Sequence, residues 1–318
     1  MALALRVRAG AGLGRIWLPL LIVYLVWGST YLGIRLAIDT IPPLLMAGVR
    51  FSVAGAILYA FSIGRGETQR DRPGRVQWVA ALLIGALLLF GGNGGVVLAE
   101  RSIPTGIAAL LVATVPLWMA IINRLFFGQR LKPLTVVGLL VGFGGVALLL
   151  GWQNGHIDPR GALIGLLAPI CWASGSVFSR RARLPVRPMV ATAMQMLCAG
   201  GLFLLAGAAA GELGRMHLGA ISTTSILALG YLTVFGSLVA FSAYVYLLRS
   251  APLTLVSTYA YVNPVVAVAL GAIVLGERIS LRTLVAGGVI VGAIALIVSA
   301  GFTPGKPQPA PRAVPARR

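Results

Sequence analysis

Negative charge is what this chain of 318 residues has least of: seven Asp and Glu stand against 26 Lys and Arg, for a formal net charge of +19. Charged residues of both signs make up 10% of the chain, whereas a water-soluble domain carries about 25%. Too little polar surface exists for the chain to face water on all sides. Histidine and cysteine are nearly missing too, with two of each. Cys171 and Cys198 lie inside apolar stretches and read as small core residues, which excludes a disulfide framework and a Cys/His metal cluster. The acidic residues Asp39, Glu67, Asp71, Glu100, Asp158, Glu212 and Glu277 all fall in or beside connections between apolar runs, and so do His156 and His217. No carboxylate lies in the middle of a run, so a buried proton relay of Asp, Glu and His is not visible, and sites for polycations are disfavoured. The signatures HExxH and GxSxG are absent. With no nucleophile–base or carboxylate pair, an intramembrane enzyme has nothing to work with, and no cofactor or metal ion is expected.

What the chain does have is apolar length. Hydrophobic residues make up 58%, and the mean hydropathy is +0.93. Runs at 16–36, 43–63, 78–99, 104–123, 133–151, 161–179, 188–208, 224–248, 252–275 and 283–300 are each long enough to cross a bilayer. The expectation is an all-α polytopic membrane protein of ten transmembrane helices. Arg6, Arg8 and Arg15 precede the first run as in a secretory signal, but that run is too long and no small-residue cleavage site follows, so it reads as a retained first helix.

The basic residues are sorted by side. One set of alternating connections and termini holds 19 Lys and Arg, among them Arg65, Arg70, Arg72, Arg75 and Arg180, Arg181, Arg183, Arg187; the other holds six. The basic side is expected to be cytoplasmic, with both termini there. Basic residues confined to short connections form no nucleic-acid surface; the expected partners are the lipid bilayer and a small-molecule substrate.

The chain also repeats itself. A shift of 148 lays Pro104, Pro116, Gly128 and Arg130 on Pro252, Pro264, Gly276 and Arg278. A shift of 145 lays Trp27 to Arg35 (WGSTYLGIR) on Trp172 to Arg180 (WASGSVFSR), and Pro43 and Gly55 on Pro188 and Gly200. Two units follow, 16–151 and 152–300, between a cytoplasmic segment 1–15 and a Pro/Arg-rich tail 301–318 that is expected to be disordered. Each unit has five spans, so the second copy inserts upside down, the pattern of secondary transporters with a midplane site.

In such a membrane interior the few polar groups are informative. Pro116 and Pro264 are expected to break the fourth and ninth helices and free the carbonyls of Val112 and Ala260. Thr114, Trp118, Tyr259, Tyr261 and Asn263 stand around these breaks and become candidate cavity residues; the alternative is a plain structural kink. Trp27 and Trp172, at equivalent mid-helix positions, are either cavity walls or core packing. Asn93 is the polar residue of the Gly91–Gly95 run, a run whose setting fits helix contact and not a nucleotide loop. Arg50 is the basic residue placed well inside a span. It either reaches the interface or pairs with Glu100, or it holds a substrate carboxylate. Its counterpart is Gln195, so the cavity is chemically lopsided. The corners at Gly128 and Gly276 read as helix-end turns.

The segments WGSTYLGIR, IPPLLMAGVRF (Ile41–Phe51), YAYVNPVVAVALG (Tyr259–Gly271) and GGNGGVVLAE before the IPTGIAALLVATVPL run resemble the EamA family of the drug/metabolite transporter superfamily, and the likeness covers nearly all of 15–300. The resemblance implies two inverted EamA units of five helices, a location in the bacterial inner membrane, and efflux of metabolites or amino acids. The leading expectation is therefore a secondary transporter that exports small organic metabolites, amino acids or related zwitterions among them, by alternating access. Arg50 and the carbonyls near Val112 and Ala260 would meet opposite ends of the substrate. A passive channel for small neutral solutes is the alternative.

Overall fold

Proline opens helix after helix in this chain. Pro43, Pro133, Pro159 and Pro188 each occupy a first helical position, where a missing amide costs nothing and the fixed φ is already helical. The structure, a computed structural model, describes residues 2–66, 73–128, 133–150, 158–251, 253–276 and 280–301. Its helices are α1 (Ala2–Ala37), α2 (Pro43–Gly64), α3 (Arg75–Ala99), α4 (Thr105–Val112), α5 (Val115–Phe127), α6 (Pro133–Leu150), α7 (Pro159–Ser179), α8 (Pro188–Ala209), the single turn α9 (Glu212–Arg215), α10 (Thr223–Ser250), α11 (Leu253–Val256), α12 (Tyr259–Leu275) and α13 (Leu281–Gly301). The described residues contain no strand. Six helical segments among them are long and apolar enough to cross a membrane: Ile16–Ala37 within α1, and α2, α3, α7, α8 and α10. The expected tail from 302 onward and the corners at Gln129–Arg130 and Glu277–Arg278 lie outside the described residues.

The outward faces are apolar. Leu18, Leu21 and Leu25 on α1 and Val49, Val53 and Ile57 on α2 are exposed at helical spacing, a surface suited to lipid and not to water. Inward, the contacts run through glycine. On α2 and α8, Gly48 meets Leu204, Ser52 meets Gly200, Gly55 meets Leu197 and Leu45 meets Gly207. As the number rises on one helix it falls on the other, so the two run antiparallel. The same holds for α6 and α13, where Gly142 faces Ala293 and Gly145 faces Ile290, and for α3 and α7, where Gly91 faces Cys171 and Gly95 faces Ala168. Apolar burial gives helices little reason to associate inside lipid; close backbone approach at small residues does. A Cβ on Gly200 would lie 2.7 Å from the backbone nitrogen of Ser52, which no side-chain rotation can relieve. Gly200→Val is expected to cost roughly 1–3 kcal/mol and to lower the thermal midpoint in detergent by several degrees, whereas Gly201→Val, with open space around it, should leave it unchanged.

Connections are tied down by polar contacts. Buried Glu212, on α9, accepts the amides of Leu44 and Leu45 at 3.0 Å each. A carboxylate there satisfies two orphan donors at the start of α2 and matches the positive end of its dipole. Gly128 and Gly276 close α5 and α12 with φ of 64° and 67°, the left-handed turn that ends a helix.

Two interruptions and two wide turns shape the interior. The expected fourth helix breaks at Ala113–Thr114, between α4 and α5, and Pro116 becomes the second residue of α5. In the expected ninth helix, α12 runs on through Pro264, and an interruption of the helix lies earlier, at Ser257–Thr258. There the Thr258 hydroxyl bonds back to the carbonyl of Leu255 at 2.6 Å, an offer that competes with the helical ladder. Within α3, residues Ala86–Asn93 form a π-helical stretch, and Leu232–Phe241 does so within α10. The shift of 148 lays Asn93 on Phe241, so the widened turns end at equivalent places in the repeat.

Candidate functional site

A cleft with about 600 Å³ of empty space lies where α1, α2, α3, α7, α10 and α12 converge. Its walls draw on both halves of the chain. Trp27, Thr30 and Tyr31 come from α1, Arg50 and Phe51 from α2, Asn93 from α3, Trp172 from α7, Phe241 from α10, and Tyr259 and Asn263 from α12. No Asp or Glu among the described residues lines it.

Arg50 is the feature that stands out chemically. It is 2% exposed, so it does not reach the interface. Its Nε donates to the hydroxyl of Ser237 at 2.8 Å, its guanidinium lies 4.8 Å from the Phe51 ring centre, and Nη1 has no hydrogen-bond partner among the described residues. Glu100, offered by the sequence as its partner, is buried at the end of α3, where its backbone carbonyl accepts Arg35 at 2.8 Å. Isolating a cation in an apolar interior is expensive, and a single hydroxyl answers only one of its five N–H groups.

Asn93 lies in the same wall, at the end of the π-helical stretch of α3, and its Oδ1 is buried without a donor. Both donors of Asn263 are taken: with its amide nitrogen turned to the backbone, it donates to the carbonyls of Tyr24 at 3.1 Å and Tyr259 at 3.0 Å. That tie fastens α12 to α1.

Aromatic rings close one side. Trp27 packs edge-on against Trp172 with centroids 5.3 Å apart and against Tyr259 at 5.2 Å, and tilted on Tyr244 at 4.9 Å. Its indole N–H donates to the carbonyl of Gly236 at 3.2 Å. Gly236 lies in the π-helical part of α10, where the wider turn leaves carbonyls outside the regular ladder. The indole of Trp172 donates to the Tyr244 hydroxyl at 3.1 Å, which also bonds Ser176 at 2.6 Å. The two tryptophans are thus cavity wall and interior packing at once.

Equivalent arginines brace the two ends. Arg35 holds the carbonyl of Glu100 at the end of α3, and Arg180 holds that of Ala251 at the end of α10, at 3.3 Å. Burial, and after it the neighbouring Arg181, lowers the pKa of Arg180. Gln195 lines a separate cleft of about 270 Å³ beside Arg180 and Arg249.

The structure therefore gathers Trp27, Arg50, Asn93, Trp172, Tyr259 and Asn263 in one cavity. It places Thr114, Trp118 and Gln195 elsewhere. The Thr114 hydroxyl is spent on the Leu111 carbonyl at 2.7 Å, and Trp118 packs with Val115, Met119 and Ile122. The side chains of Tyr261 and Pro264 lie outside the described residues. Val112, expected beside a freed carbonyl, does lie in the wall. Residues the sequence left unmarked are Tyr31, Phe51, Pro169, Ser237, Phe241 and Tyr244. Pro169 carried the same signal as Pro116, a proline inside an apolar run, and Phe241 is the repeat partner of Asn93. For Tyr244 no local signal exists. Among the described residues no cluster of three or more His, Cys, Asp or Glu could hold a metal ion.

A largely apolar cavity with a buried cation in its wall can bind an anion. Residues 14–151 and 159–299 each match the EamA-like transporter family. The chain is 44% identical to the uncharacterized inner membrane transporter YedA of Escherichia coli (strain K12), over 91% of this chain and 92% of that protein. It is 25% identical to the uncharacterized transporter YvbV of Bacillus subtilis (strain 168), over 87% and 90%. One solved crystal structure superposes with a TM-score of 0.66 at 25% identity, covering 88% of this chain and 96% of that one. This kinship, with the lipid-suited outer faces, supports a multi-pass transporter of the inner membrane. The chain belongs to the EamA-like transporter family.

Proposed function

We propose that the protein is a secondary transporter that exports small carboxylate-bearing organic metabolites by alternating access, with ten transmembrane helices, two inverted repeats and both termini in the cytoplasm. The single observation that carries this reading is the Arg50 guanidinium, buried in a cavity between the two halves with Nη1 unbonded. The inverted arrangement is supported by the antiparallel register of equivalent helices, α2 with α8 and α6 with α13. Alternating access is supported by the matched arginine braces at Glu100 and Ala251, one per repeat, and by the packed aromatic wall. The unequal distribution of Lys and Arg supports the orientation.

Counterflow tests the carrier against the open pore. Proteoliposomes holding the purified chain and loaded with an unlabelled aromatic or branched-chain carboxylate are expected to take up the labelled compound several-fold faster than empty ones. Uptake that ignores the internal compound and rises linearly with concentration would leave a channel as the only reading.

A further inference from the structure

Three buried polar atoms without a partner among the described residues lie in one cavity wall: Arg50 Nη1, a donor, Asn93 Oδ1, an acceptor, and the Tyr259 hydroxyl, which can act as either. A ligand that completes the first two must bring an anionic acceptor and a hydrogen-bond donor. The question is which donor. An ammonium group carries a full charge and three N–H bonds, and leaving water is costly for it unless a carboxylate or several acceptors replace the lost contacts. The described wall contains no carboxylate, the Thr30 hydroxyl is bonded to the Trp27 carbonyl at 2.7 Å, and the Gly236 carbonyl is taken by Trp27. The aromatic rings offer no open cage either, since Trp27, Trp172, Tyr244 and Tyr259 fill one another's faces and edges. Two neutral oxygens, the Asn93 amide and the Tyr259 hydroxyl, leave a charged ammonium short of the acceptors and counter-charge that it loses from water, but suit one hydroxyl.

We infer that the cavity selects monoanions bearing a neutral hydrogen-bond donor, hydroxy carboxylates with an apolar body, over zwitterions, and that Asn93 is the specificity-determining residue. This rests on the reading of Arg50 as the carboxylate site. It also supplies a driving force where no buried proton relay was visible: an inside-negative potential of 100 mV favours the outward distribution of a monoanion by a factor of about 50, and does nothing for a zwitterion.

The test uses the full chain in proteoliposomes and four compounds on one skeleton as competitors: phenyllactate, phenylpropanoate, phenylalanine and the uncharged phenyllactamide. Phenyllactate is expected to compete about ten-fold better than phenylpropanoate and better still than phenylalanine, and its flux is expected to follow an imposed potential. Asn93→Leu should erase the preference of phenyllactate over phenylpropanoate. Phenylalanine matching or surpassing phenyllactate overturns the inference and leaves Arg50 in its role. So does an Asn93→Leu protein that loses all three acids alike, because Asn93 is then a support for Arg50 and not a reader of the donor. Phenyllactamide exchanging as well as phenyllactate overturns the carboxylate site, and the inference with it.

Discussion

Arg50→Gln should bind carboxylates about ten- to a hundred-fold more weakly and yet unfold at a higher temperature than the parent protein when no ligand is present. The two effects come from one cause. A buried guanidinium answered by one hydroxyl and one aromatic ring carries a desolvation cost of several kcal/mol that its surroundings do not repay. Glutamine keeps a donor for Ser237 and removes the charge, so the empty protein gains. The bound state loses a charge-assisted hydrogen bond of about 1.5–3 kcal/mol, which sets the fall in affinity. Thermal unfolding in detergent with and without ligand reads both. A carboxylate that binds only the folded state raises the midpoint of the parent protein and should raise that of the Gln variant far less. If the substitution instead lowers the ligand-free midpoint by several degrees and leaves transport unaltered, Arg50 is a structural residue. A stability gain with an activity loss is the mark of a residue retained for binding.

Much of the interior organisation could be read from the chain because it depends on spacing alone. The four-residue exposure of Val49, Val53 and Ile57 belongs to local helical geometry, and the repeat doubles the glycine signal at 55 and 200. The interruption that precedes α12 is hidden for a local reason too. Proline announces itself as a helix breaker, whereas the interruption at Ser257–Thr258 depends on a threonine hydroxyl turning back to Leu255 and on the Tyr24 hydroxyl meeting it from α1. A helix can keep a proline in lipid when its neighbours cover the freed carbonyl. The π-helical turns were equally hidden, since one extra residue per turn leaves no trace in composition.

The site was legible where chemistry is rare and illegible where it depends on helical phase. Arg50 and Asn93 stand out as polar residues in apolar runs, and both lie in the cavity wall. Thr114 and Trp118 were marked because they flank Pro116, yet the start of α5 turns Thr114 back on Leu111 and sends Trp118 toward Met119, leaving Val112 and Val115 to face the cavity. Tyr244 is 72 residues from Trp172. Its place at the centre of the aromatic wall follows from how the two halves interleave, which spacing within either half does not reveal.

That wall carries the second large effect. Trp27→Ala should cost roughly 3–5 kcal/mol of stability and, at temperatures where the variant remains folded, convert tightly coupled exchange into leak. Trp27 fills the space among Trp172, Tyr244, Tyr259 and Phe241, and its N–H satisfies a carbonyl of the π-helical turn of α10. Removal opens a void that polar solute or water can enter, beside a carbonyl left without its donor. Trp27→Phe separates the two contributions: it keeps most of the ring volume and removes only the N–H, so it should cost about 1–3 kcal/mol and preserve exchange. Leak is read as loss of labelled substrate from preloaded proteoliposomes into a medium without substrate, against exchange measured on the same preparation. If Trp27→Ala leaves the ratio of leak to exchange at the parent value, the aromatic wall supports the fold without closing the pathway. If Trp27→Phe leaks as much as Trp27→Ala, the closure lies in the hydrogen bond to Gly236 and the packing is secondary. A rise in leak confined to the alanine variant assigns the barrier to the packed rings, where both repeats contribute a tryptophan and neither half could form the wall alone.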